Sequence, residues 1–187
     1  MLCLKLYISQ KALRYNRGAR LYDVVIVGSG PGGIFAALEL SKKNPNLKIA
    51  LLEKGEDLEV RVEGIKNDPS HCIYGFSGAG AFSDGKLTLT TDVGGLLAEH
   101  VGRDRADSMV KYVDDIWCEH GAPDDLSGAT PEVLDIQKKS MMHGLKFIPY
   151  PVRHMGTDNN VRIMTNMRTA LQNAGVEIFC RTECTDV

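Results

Sequence analysis

The chain holds 187 residues, with 22 Lys and Arg against 24 Asp and Glu, for a formal net charge of −2 at neutral pH. That length suits one domain or one part of a larger protein, domains running to ~100–200 residues, and the charge balance gives no reason to expect nucleic acid as a partner. Five cysteines (Cys3, Cys72, Cys118, Cys180, Cys184) form an odd set without a C-x-x-C pair. This argues against a disulfide framework or structural zinc and for the reduced thiols of a cytoplasmic protein, while no apolar run reaches the ~20 residues of a membrane span.

Residues 1–20 carry Lys5, Lys11, Arg14, Arg17 and Arg20 and no acid. They read as a basic N-terminal extension, with an organelle-targeting leader as the alternative. From residue 21 onward the pattern becomes that of a nucleotide-binding unit. Val24-Val25-Ile26-Val27 is a short β-branched run, the pattern of a buried parallel strand. It ends in Gly28-Ser29-Gly30-Pro31-Gly32-Gly33, a G-x-G-x-x-G opening a helix pattern that Asn44-Pro45 stops. Gly28 permits the tight turn, Gly30 lets backbone approach a diphosphate, Gly33 allows close helix–strand packing, and Pro31 suits the first helical turn. A second apolar run, Ile49 to Leu52, ends on Glu53, which follows Gly33 by ~20 residues, the spacing of the dinucleotide fingerprint. Helix N-terminus and loop amides would hold the diphosphate, and the Glu53 carboxylate would accept the ribose hydroxyls.

Glu56 to Asp68 is polar. On pattern alone Arg61 is either a bidentate donor to a diphosphate or one charge on a solvated surface. Residues 75–91, GFSGAGAFSDGKLTLTT, form a second glycine-rich stretch followed by strand-like alternation from Lys86 to Thr90. They read either as backbone lying flat against a planar or anionic ligand or as a hairpin turning at Asp84-Gly85.

Taken together, YDVVIVGSGPGGIFAALEL, LLEKGEDLEVR, GFSGAGAFSDGKLTLTTDVGG and RHMGTDNNVRIMTNMRTAL resemble the uncharacterised FAD-dependent dehydrogenase family, also labelled NAD(FAD)-utilising dehydrogenase, among the glutathione-reductase-like flavoproteins. The resemblance covers Tyr22 to Val187. It implies that Gly28, Gly30, Gly32 and Gly33 cradle the FAD diphosphate, with Pro31 between them, that Glu53 binds the adenosine ribose, and that the adjoining Lys54 is among the cofactor-binding residues. It further implies that Arg61 serves the cofactor, that Gly78, Ala79, Gly80 and Ala81 run beside the ribityl chain and flavin ring, and that Cys184 and Glu183 pass the adenine. Ser29 and Ser77 stand where such proteins have alanine and glycine.

The stretch at about 92–157 reads as an insert. Ala106, Met109, Val110, Val113, Ile116, Trp117 and His120 share one helical face before Gly121 and Pro123, with Trp117 as core rather than cofactor stacker. His143, His154 and Met141-Met142 carry no ligand spacing, so no metal is expected. Lys146 to Arg153 is extended, and Pro149 and Pro151 argue against a central strand. Thr157-Asp158 caps a helix through Ala174, with Val161, Met164, Leu171 and Ala174 inward, and Val176 to Cys180 is a third parallel strand beside the Glu53 strand. Cys180 and Cys184 lack the helix-start setting of a redox pair.

The expectation is an α/β, Rossmann-like FAD/NAD(P)-binding fold with a parallel sheet, incomplete at its C-terminus. The resemblance implies a longer flavoprotein oxidoreductase whose C-terminal half packs on this domain and brings a late Gly-Asp pair. FAD is the expected cofactor and NAD(P)H a candidate reductant. The substrate is a small molecule of unknown kind, and catalytic residues are unassigned. Two alternatives stay open: an NAD-binding domain, which Glu53 would serve equally, and a non-catalytic fragment that cannot hold cofactor alone.

Overall fold

A computed structural model of the chain describes residues 22–186, so the basic extension at 1–20 and Cys3 lie outside the described residues. In chain order the elements are β1 (Val24–Val27), α1 (Pro31–Lys43), β2 (Ile49–Leu52), α2 (Leu58–Gly64), 3-10 turns at Pro69–Cys72 and Ala79–Phe82, β3 (Lys86–Thr88), α3 (Leu97–Val101), α4 (Arg103–Glu119), β4 (Leu126–Ser127), α5 (Pro131–Met142), β5 (Val152–His154), α6 (Thr157–Asn173) and β6 (Glu177–Phe179). They divide into two compact units. One holds the described residues up to Ala81 and from Thr165 on, and the other is Phe82–Met164.

The first unit is built on a three-stranded parallel sheet in the order β1-β2-β6. β2 is the middle strand, and Ile49, Ala50, Leu51 and Leu52 are all buried. Burying Ile49, Leu51 and Leu52 stabilises by about 1.5–3 kcal/mol each, so this strand anchors the unit. α1 crosses over between β1 and β2, with Ile34 and Ala37 buried and Lys42 and Lys43 in the last turn, where they favour the helix dipole. β6 pairs beside β2 with Ala50 opposite Glu177, which gives the parallel, Rossmann-like order expected from the fingerprint. β1 differs from expectation. Only Ile26 is fully buried, while Val25 and Val27 are 37% and 58% exposed, because these two share the opposite face of β1, which is left open among the described residues.

Glu56 to Asp68 is more ordered than its polarity suggests. It contains α2, whose first amide is capped by the Asp57 side chain (Leu58 N–H to Oδ1, 2.7 Å). Arg168 of α6 holds the same carboxylate through two donors, Nε at 2.9 Å and Nη2, and its guanidinium lies 5.8 Å from the Phe76 ring centroid. Asp57 therefore joins a helix start, an ion pair and the entry to the second glycine stretch.

The second unit contains an antiparallel sheet in the order β3-β5-β4. The strand starting at Lys86 does not fold into a local hairpin. It pairs with β5, Leu87 opposite Arg153. β5 is the central strand, contrary to the reading of Pro149 and Pro151. Both prolines precede Val152, so neither removes a donor from the ladder. α4 buries Ala106 and Ile116 but leaves Met109 44% exposed, and it buries an acid, Asp114. That carboxylate takes Arg153 Nε at 2.6 Å and Nη2 at 2.7 Å, while Nη1 donates to the Pro123 carbonyl. Pairing is what makes the burial of both charges tolerable. α6 starts at Thr157 itself. Its residues in this unit bury Ile163 and Met164 and leave Val161 half-buried, and its residues in the first unit bury Met167 and Leu171 and leave Ala174 exposed.

Candidate dinucleotide site

The C-terminal ends of β1 and β2 in the first unit carry the residues of the fingerprint. Gly28 leaves β1 with φ of 93° and its N–H donates to the Leu52 carbonyl at 2.7 Å, a turn an L side chain would strain. Gly33 is required for packing: a Cβ there would lie 1.9 Å from the Gly28 carbonyl oxygen. Gly30, the residue before α1, has no atom within 4 Å of a Cβ position, so the helix N-terminus opens onto free space. Pro31 lacks an N–H, and Gly32 and Gly33 occupy positions whose amides have no carbonyl within the helix to donate to. An anion placed there meets those amides and the positive end of a 13-residue helix.

Glu53 follows β2 with its backbone pinned on both sides: its N–H donates to the Phe179 carbonyl at 2.8 Å and its carbonyl accepts Thr182 N–H at 2.8 Å. The side chain is 6% exposed. Oε2 accepts from Ser29 N–H at 3.0 Å and the Ser29 hydroxyl at 2.8 Å, and Oε1 accepts from Gly55 N–H at 2.9 Å. Burial pushes the carboxyl up, but the bonds from Gly55 and Ser29 and the charge of Arg61 outweigh it, so the group is held below its ordinary value. Glu53 is ionised at neutral pH.

Arg61 is fully buried. Nε donates to the His71 carbonyl at 2.8 Å, Nη2 to Cys72 at 3.1 Å, and Nη1 to Phe76 at 2.5 Å and Gly78 at 2.9 Å. Burial lowers its pKa and Glu53 partly restores it. The solvated-surface alternative does not hold, because the side chain is buried. The fork is committed to backbone carbonyls and shapes the segment that faces the fingerprint. Gly75 makes room for it, since a Cβ there would sit 2.5 Å from Arg61 Cδ, and Gly55 lies so close that its Cβ would be 2.6 Å from Gly75 Cα. Phe76 N–H donates to the Glu56 carbonyl and Ser77 N–H to that of Ser29, both at 2.9 Å, so the second glycine stretch is tied directly to the first. Ser77 adopts φ of 67°, a left-handed conformation unusual for a side-chain-bearing residue.

The two stretches bound a cavity of about 310 Å³ whose wall includes Gly28, Glu53, Lys54, Tyr74, Gly78 and Cys184. Ligand sites run from ~300 to ~1,000 Å³, so this volume suits part of a dinucleotide. Of the expected residues, the structure gathers Gly28, Glu53, Lys54, Gly78, Glu183 and Cys184 in that wall. Gly30, Pro31, Gly32 and Gly33 form the start of α1, outside the wall, although a Cβ on Gly78 would come within 3.4 Å of Gly30 Cα. Ala79, Gly80 and Ala81 lie in a 3-10 turn, the first two exposed and Ala81 buried. Tyr74 and Thr182 line the cavity without having been singled out. The signal for Tyr74 is its aromatic ring next to Gly75, and Lys54 Nζ stands 5.4 Å from that ring's centroid. Burial drives the Cys180 thiol up to about 12, which removes it as a nucleophile near neutrality. Among the described residues no group of three or more His, Cys, Asp or Glu is placed to hold a metal, and no helix is long and apolar enough to cross a membrane.

Comparisons with known proteins fall on this fold. The model of the Thi4 family matches residues 10–58. An uncharacterised protein of Clostridium beijerinckii is 30% identical over 162 residues, 82% of this chain and 24% of that protein. The mitochondrial L-2-hydroxyglutarate dehydrogenase of Dictyostelium discoideum is 42% identical over 55 residues, 29% of this chain and 12% of that enzyme. The chain thus spans about a quarter of the first relative's length and about an eighth of the second's. Among solved structures, the 3-ketosteroid-Δ4-(5α)-dehydrogenase of Rhodococcus jostii RHA1 matches with a TM-score of 0.50 at 15% identity, over 86% of this chain and 38% of that one. At that identity the likeness shows the α/β, Rossmann-like fold.

Proposed function

We propose that this chain is the FAD-binding portion of a flavoprotein oxidoreductase. The observation that carries the reading is the joint placement of Glu53, Gly28 and Gly78 around one cavity, with the second glycine stretch docked on the first through Ser77 and Ser29. The chain's own residues would do three things. The start of α1 binds the diphosphate, ionised Glu53 orients the adenosine ribose, and Gly78 presents a bare backbone to the ligand. The flavin, when bound, supplies hydride or electron transfer. The names of the curated and structural relatives support a dehydrogenase.

NAD(P)H fits as the electron donor, the substrate is a small molecule, and a reduced cytoplasmic setting agrees with the four free cysteines among the described residues. In a longer protein, a further segment would cover the face of β1 on which Val25 and Val27 stand exposed among the described residues. Glu53 alone would serve NAD as well. The docked second glycine stretch favours FAD over it. Titration of the protein into FAD, followed by quenching of flavin fluorescence, tests the reading. Saturable quenching that excess NAD⁺ does not reverse supports it. Absence of quenching together with NAD⁺ binding would move the assignment to an NAD-binding domain.

A further inference from the structure

We propose that the Ser29 hydroxyl sets the affinity of the dinucleotide site by occupying one acceptor position of Glu53, so that the carboxylate receives a single ribose hydroxyl rather than two. The inference rests on the nucleotide-binding reading above. An ionised carboxylate offers about four acceptor positions. Three are filled from within the protein: two on Oε2, by the Ser29 amide at 3.0 Å and hydroxyl at 2.8 Å, and one on Oε1, by the Gly55 amide at 2.9 Å. The remaining position is on Oε1. Ribose presents its 2′ and 3′ hydroxyls on adjacent carbons, and a carboxylate with both oxygens open accepts the pair together.

Here the second ribose hydroxyl must displace a donor already in place. The two amides cannot leave without moving backbone that is fixed on both sides. The Ser29 carbonyl accepts Ser77 N–H, the Gly55 carbonyl accepts Arg181 N–H, and Glu53 is held by Phe179 and Thr182. The Ser29 hydroxyl turns about one single bond, so it is the displaceable donor. Ser29 is fully buried, and its hydroxyl does not exchange this bond for water at no cost. Displacing it trades one hydroxyl-to-carboxylate bond for another of the same kind, and little affinity is gained. The arrangement keeps Glu53 ionised and oriented before ligand arrives, at the expense of half of its ribose contact.

The test is calorimetric titration of ADP, 2′-deoxy-ADP and 3′-deoxy-ADP into the wild-type protein and Ser29→Ala. In the wild type, one deoxy analogue should bind about tenfold more weakly than ADP while the other stays within about twofold. Ser29→Ala frees a position on Oε2, so it should bind ADP about three- to tenfold more tightly and become sensitive to both deletions. Equal tenfold losses for both analogues on the wild type would overturn the inference, as would an alanine variant that binds ADP no more tightly. If the variant does not fold, the wild-type analogue pair decides alone. Flavin uptake is scored separately on the same samples. ADP binding with the expected pattern but no flavin would defeat the flavin reading and leave this one standing, whereas no ADP binding defeats both.

Discussion

Replacing Arg61 by methionine isolates what the buried guanidinium does. Methionine fills most of the volume but removes donors to four carbonyls, those of His71, Cys72, Phe76 and Gly78. The bond to Phe76 lies in fully buried surroundings and the other three in half-buried ones. An unsatisfied buried carbonyl costs about 1–3 kcal/mol, and a half-buried one regains water for a smaller loss. Taking the upper part of that range for Phe76 and about 0.5 kcal/mol for each of the others gives about 4 kcal/mol, and relief from burying a cation offsets part of it. The expected net loss is therefore about 3 kcal/mol. It should be felt first at segment 71–78, whose four carbonyls lose their donor while the Phe76 and Ser77 amides keep their bonds to Glu56 and Ser29. Urea denaturation gives the global figure, and amide hydrogen exchange should show faster exchange at residues 71–78 with β2 protection falling only as far as global stability does. Arg61→Lys, with three donors and no fork, should recover only part of the loss. A methionine variant within 0.5 kcal/mol of wild type, with unchanged exchange at 71–78, would refute the clamp.

Gly33→Ala places a methyl carbon 1.9 Å from the Gly28 oxygen, so the strand-to-helix turn must open; a loss of about 2–3 kcal/mol in thermal or urea unfolding is expected, and a neutral result would contradict the packing. Glu53→Ala removes the ribose acceptor and should weaken FAD or ADP binding by about 1.5–3 kcal/mol in a fluorescence or calorimetric titration, with unaltered affinity the opposing outcome. Because the folded-state pKa of Glu53 is depressed, its stabilising effect is present above the ordinary carboxylate range and lost as pH falls through the lowered value. Acid unfolding of Glu53→Ala should therefore lack that step. Cys180, raised to about 12, stabilises the fold below its ordinary value near 9 and ceases to as pH rises toward 12. Iodoacetamide at pH 8 should accordingly leave Cys180 unmodified by mass spectrometry, and rapid labelling would show that the burial is wrong.

Legibility followed the range of the forces involved. The β1-α1-β2 unit, the order of β6 and the place of Glu53 depend on short-range signals: a β-branched run, a glycine turn, a proline in the first helical turn and a fixed spacing. The roles of Asp57 and Asp114 depend on partners far along the chain, and that of Arg61 on how the loop after α2 folds back over it. Arg168 meets Asp57 across 111 residues and Arg153 meets Asp114 across 39, and nothing in either neighbourhood reports it. A charged residue in a polar stretch looks the same whether it ends in water or beneath a glycine. The prolines before β5 misled because a proline's missing donor matters only inside the ladder, and these two stop one residue short of it. Gly55 and Gly75 carry a readable signal, as paired glycines on segments that cross closely.

The central claim, that this chain holds a flavin through the start of α1 and Glu53, is tested most directly by the visible absorption spectrum of the purified protein after incubation with FAD and removal of excess. Gly30→Val is the control, since a Cβ there meets no atom within 4 Å and the branched side chain should fill space the diphosphate needs at the start of α1. The account predicts a near-stoichiometric flavin spectrum for the wild type and a colourless, folded Gly30→Val. A colourless wild type, or a variant as yellow as the wild type, would contradict it.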